Sequence, residues 1–149
     1  MRLLTLLLLQ FLIHFVSVAQ SDFIINKKSD TLRGEIRIQS YDLIDRIQVV
    51  ANGKKESYKA TDVIHISING ETYKPQKLDN SIRIMKLIKE GFLSIYAFRI
   101  ENQTSYEGRM IIKKDGKSIQ VPNLSFKKGM SEFLEDCKTV SDQIKEGTY

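Results

Sequence analysis

From Thr31 onward most of the chain alternates between apolar and polar side chains. The runs "TLRGEIRI", "IQVVA", "VIHISI", "SIRIMKLI" and "RMIIKK" are rich in β-branched residues. A period of two puts successive side chains on opposite faces of a strand, the pattern of a sheet with one buried side. Four dipeptides punctuate these runs: Asn52-Gly53, Asn69-Gly70, Glu90-Gly91 and Asp115-Gly116. Asn-Gly and Asp-Gly supply the positive φ angles that tight hairpin turns need. Two-residue loops there predict that Ile47 faces Tyr58, Ile66 faces Tyr73, Met110 faces Val121 and Ile112 faces Ile119. Lys113 then points away from the core. Ile64, Ile66 and Ile68 form one expected core row, with Val63, His65 and Ser67 on the opposite face.

The hairpin about Glu90-Gly91 differs, because Ile84, Ile88, Leu93 and Ile95 share one face while Met85, Leu87, Phe92 and Tyr96 share the other. A strand apolar on both faces is covered on both, so this hairpin is expected at the centre, with helix over it. A further hairpin is predicted about Ser29-Asp30, and residues 39–45 form a connection. Pro75 and Pro122 are expected to end strands, since proline cannot donate to a ladder. The four turns follow no fixed spacing, so no repeat is predicted.

After Pro122 the period changes. Phe126, Met130, Phe133, Leu134, Cys137, Val140 and Ile144 recur at three- and four-residue steps, the apolar stripe of a helix. The helical segment spans 125–146, with Ser125 as cap, Gly147 as stop and room for a break near Thr139. Cys137 lies in the stripe and is expected to be buried. The predicted fold is mainly β (α+β): an antiparallel hairpin meander of about ten strands forming a curled sheet or open barrel, with one or two C-terminal helices packed on it.

The opening "MRLLTLLLLQFLIHFVSVAQ" has one cation, an apolar middle, and small Ser17 and Ala19 before a cleavage point. That is the layout of a secretory signal peptide, so residues 1–19 are expected to be removed, leaving one domain over 20–149 with no transmembrane segment. No cysteine follows the apolar run to take a lipid. The formal net charge is +5; without Arg2 the chain has 22 basic against 18 acidic residues. The lysine pairs at 27–28, 54–55, 113–114 and 127–128 are scattered among acids, unlike the clustered footprint of a nucleic-acid binder. Cys137 is the single cysteine, so no internal disulfide forms.

Chemistry is sparse. His65 is the one histidine beyond the leader, with no second histidine, cysteine pair or nucleophile motif to complete a constellation, and it reads as a rung of the sheet. "DGKS" at 115–118 ends like a phosphate-binding loop, but Ile111 stands where a glycine is required and a strand follows. One histidine and one cysteine do not make a zinc site, and no calcium loop is present. No catalytic, metal or cofactor residue is predicted. Binding residues are sought on loops carried by a rigid sheet. The candidates are Tyr41, Asp42 and Asp45 on the 39–45 connection, and Tyr106 on the 101–106 loop. Tyr58 and Tyr73 suit half-buried sheet positions. Asn102-Gln103-Thr104 is an N-glycosylation sequon.

"DTLRGEI", "YKATDVIHISINGETYK", "IKEGFLSIYAF" and "FLEDC", following a leader that ends in "AQ", resemble words of small secreted, β-rich proteins of Bacteroidota. The resemblance implies export to the periplasm or cell surface and carries over no site residues. In that setting Asp30-Thr31-Leu32 looks like an acceptor for O-glycosylation at Thr31. The functional expectation is a non-enzymatic binding or interaction protein of the bacterial cell envelope, its partner an envelope protein or glycan. The alternatives are a carrier of a small hydrophobic ligand inside the barrel, and a carbohydrate-active hydrolase using Asp42 and Asp45 as its carboxylates.

Overall fold

The computed structural model describes residues 21–99 and 105–148. Among these residues eleven strands run in chain order: β1 Phe23–Asn26, β2 Thr31–Arg33, β3 Glu35–Gln39, β4 Arg46–Ala51, β5 Lys54–Lys59, β6 Val63–Ile68, β7 Glu71–Leu78, β8 Ser81–Lys89, β9 Leu93–Phe98, β10 Gly108–Lys113 and β11 Ser118–Gln120. Two helices follow, α1 Phe126–Phe133 and α2 Lys138–Glu146. The fold is mainly β, as the alternation predicts.

The strands divide into two antiparallel sheets. The large one has the order β11-β10-β9-β8-β7-β6-β1-β2, and the small one is β3-β4-β5. The division falls at Gly34, where the chain leaves β2 of one sheet and enters β3 of the other. A Cβ at Gly34 would lie 2.4 Å from the carbonyl oxygen of Val50, so only glycine allows so close a crossing. The apolar faces of the two sheets meet: Ile24, Ile66 and Ile84 pack against Ile36, Ile47 and Val49 in one buried cluster. Each fully buried isoleucine contributes about 2 kcal/mol relative to exposure.

Farther along the same face, α1 and α2 take over from the small sheet. Met130, Leu134 and Ile144 pack over Leu93, Ile111 and Ile119. The buried Ser141 hydroxyl donates to the Ser131 carbonyl at 2.8 Å and pins one helix to the other. The opposite face holds a third cluster of Met85, Tyr96, Phe98 and Met110. The sheet curls around it until the Gln120 amide on β11 donates to Asp79 in the β7–β8 turn at 3.1 Å. The curl does not close into a barrel.

Several expectations need correction. The turns at Asn52-Gly53 and Asn69-Gly70 give the predicted pairs Ile47 with Tyr58 and Ile66 with Tyr73. At Asp115-Gly116 the loop is one residue longer, since Lys113 N–H donates to the Lys117 carbonyl and Gly116 takes φ +87°. The register becomes Met110 with Gln120 and Ile111 with Ile119. The one-residue slip turns Ile119 of β11 to the face of Ile111 and Lys113 instead of that of Ile112. Lys113 stays on the side opposite Met110 and Ile112, but the helices cover that side, so it is 6% exposed, its ammonium 2.7 Å from Asp136 and 4.7 Å from the Phe133 ring.

In β6, pairing to β1 shifts between Ile25 and Asn26, so Ile64 bulges out of the core row while Val63 is buried. Ile88, at the shift in the β8–β9 ladder, and Phe92 are exposed rather than packed on the central hairpin. The helical stripe breaks at residues 134–137, so the second helix starts with a new phase. Cys137 is consequently exposed. Ser125 has left-handed backbone and makes no side-chain cap, whereas Gly147 terminates α2 at φ +79° as expected. Pro75 lies within β7 instead of ending it.

Candidate binding groove

The structure separates the sequence-predicted surface residues. Tyr41 is 81% exposed and Asp42 is also exposed. Asp45, three residues on, is buried. Its Oδ2 accepts the Ile84 N–H at 2.7 Å, and its Oδ1 accepts from Arg83 at 2.9 Å. Arg83 also donates to the Asp42 main-chain carbonyl at 2.8 Å, so the Asp45 carboxylate and the Asp42 main chain together dock the connection onto β8. The segment runs beside the first half of β8, where Ile82 N–H donates to the Leu43 carbonyl and Asp45 N–H to the Ile82 carbonyl. This local parallel pairing supplies β8 with a neighbour where β9 has not yet joined it.

Tyr106 is half-buried against the intersheet core. Its ring meets Tyr73 edge-on at 5.8 Å, and the Arg99 guanidinium lies 4.9 Å from it. Below it the Tyr73 hydroxyl donates to Glu71 at 2.9 Å, and Lys86 reaches the same carboxylate at 2.5 Å. Burial and that hydrogen bond push the Tyr73 phenol up, while the Lys86 hydrogen bond holds Glu71 below the usual carboxylate value. Tyr58 hydrogen-bonds Glu56, which pushes its phenol up to about 12. Thr31 opens β2 at the exposed rim of the large sheet. Asn102 lies outside the described residues.

His65 is a rung: it pairs with Ile25, and its ring stacks on Phe23 at 5.6 Å. Arg33 covers Phe23 with its guanidinium 5.3 Å from the ring. Burial, then the charge of Lys74, hold the imidazole below its ordinary value of 6.5, and Glu90 opposes them.

A groove of about 730 Å³ opens elsewhere, where β6 and β7 part. Their ladder ends at Ile66 with Tyr73. Beyond that pair β6 follows β1 through its bulge, while β7 continues with β8 to Leu78. Pro75 explains the parting, because it has no N–H for the next rung. Val63 and Ile64 form one wall, Pro75 and Lys77 the other, and Ala60 and Thr61 of a single 3-10 turn close the top. Lys27, Lys74 and Lys77 contribute to the lining and no carboxylate does. Lys74 pairs with Glu90 at 2.7 Å; Lys27 and Lys77 have no side-chain partner among the described residues. Ile64 remains 49% exposed there.

Sequence reasoning missed this groove. One signal was present: a proline inside a strand-like run marks an unpaired edge. Lys27 and Lys77, fifty residues apart, come together only through the pairing of β1 with β6. A groove of this volume falls within the range of roughly 300–1,000 Å³ typical of ligand sites. Comparison of the chain with protein-family models, with curated proteins and with solved structures finds no match in any of the three.

Proposed function

We propose that the chain is an exported, non-enzymatic binding protein of the bacterial cell envelope, and that it engages its partner at the fork between β6 and β7. The observation that carries this reading is the groove itself, a cationic cleft with exposed apolar surface on a rigid sheet. The leader-like opening and the likeness to secreted β-rich proteins support the compartment. Ile24, Ile47 and Ile66, all fully buried, pack against one another between the sheets, which favours a surface groove over an interior ligand.

A photo-crosslinking residue in place of Asn80, at the end of the groove, tests the reading in native envelopes. The same residue in place of Lys54, in the β4–β5 hairpin, is the control. Adducts at position 80 and none at 54 are expected. Adducts at 54 alone, or at neither position, would overturn the proposal.

A further inference from the structure

The edge of β7 that lines the groove has a defined polarity. Ile68 and Glu71 flank a two-residue turn, so they and the pair Ile66–Tyr73 exchange main-chain hydrogen bonds. Leu78 and Ser81 flank another, so Leu78, Gln76 and Lys74 direct their main chain toward β8. The alternation leaves Pro75 and Lys77 facing the groove. Pro75 offers a carbonyl only, and Lys77 offers both N–H and carbonyl. An open strand edge of this kind is a template for an added strand.

The rim chemistry selects the guest. Lys27, Lys74 and Lys77 surround the edge without a lining carboxylate, and the exposed Glu90 on Lys74 can be exchanged for an incoming acid. Pro75, Ile64 and Ile82 supply apolar contacts for alternate side chains of an extended chain. We infer that the groove binds an extended acidic segment of a partner protein, added as a strand along the Pro75–Lys77 edge of β7. This inference rests on the binding reading above and specifies its ligand class.

The probe is an acetylated, amidated hexapeptide of alternating Glu and Val, followed by amide chemical shifts and by fluorescence anisotropy of a labelled copy. It should shift the amides of Lys77 and residues 63–65. The exposed-site double variant K27E/K77E, with an unchanged circular dichroism spectrum, should bind roughly tenfold more weakly. A Lys-Val hexapeptide should not bind, and N-methylation of alternate Glu-Val amides should abolish binding. An N-methylated peptide that binds equally well would overturn strand addition, leaving a plain anion site. If the Glu-Val peptide fails while crosslinking at position 80 persists, this inference fails and the binding role of the groove stands.

Discussion

Asp45 and Arg83 form an ion pair at the seam of the two sheets, with a carboxylate that is 2% exposed and also holds the Ile84 N–H. Replacing Asp45 with alanine leaves the Ile84 N–H without its acceptor and removes the counter-charge of Arg83, which keeps only the Asp42 carbonyl. D45A should cost about 3 kcal/mol in urea unfolding followed by circular dichroism. D45N should cost less, because its amide oxygen still accepts from Ile84. Arg83→Ala added to D45A should have a much smaller effect than in the parent, the mark of a coupled pair.

Gly34 predicts a steric penalty. A methyl group there would press on the Val50 carbonyl at the crossing between sheets. G34A should lower stability by about 2 kcal/mol or more, since a packed backbone has little room to yield. Gly53, where an added Cβ meets nothing within 4 Å, is the control; there only the strain of φ +73° opposes alanine. G53A should be the milder variant in the same assay.

His65 predicts a pH dependence with a definite sign. Its folded value lies below its unfolded value, so the unfolded state takes up a proton first as pH falls. Stability from the neutral ring is fully present above the unfolded value near 6.5 and is lost as pH drops toward the folded value. The urea midpoint should fall between pH 7.5 and 5.5, before most carboxylates titrate. H65Q should flatten that decline, and an unchanged slope would count against the Phe23–His65 environment described above.

Cys137 should react with Ellman's reagent in the folded protein without denaturant, in one fast phase, because the turn between the helices exposes it. A thiol that became reactive only on unfolding would place it back in the helical stripe.

Strand identity and the Asn-Gly registers were legible because turn chemistry and side-chain period agree at Asn52-Gly53 and Asn69-Gly70. At Asp115-Gly116 the dipeptide was right but the loop length was not, and length decides whether Ile119 shares a face with Ile112 or with Ile111; Lys113 is buried because helices cover its face, which local sequence does not show. The separation into two sheets was hidden for a different reason: it depends on what Gly34 meets, a carbonyl sixteen residues away. Asp45 looked like a loop acid because only the fold reveals the unpaired donors on β8. The groove was the least legible feature, since its cations lie on strands joined by long-range pairing. Tyr41 and Asp42 were legible as exposed; nothing local distinguished them from Asp45.

The pairing of β1 with β6 has a kinetic side. Ile24 meets Ile66, so during synthesis the β1–β2 hairpin waits some forty residues for the strand that covers its inner edge. Such non-local closure slows folding and prolongs the life of sticky intermediates. A chaperone that holds the emerging N-terminal hairpin would therefore be expected to raise the yield of this protein more than one acting on its helical tail.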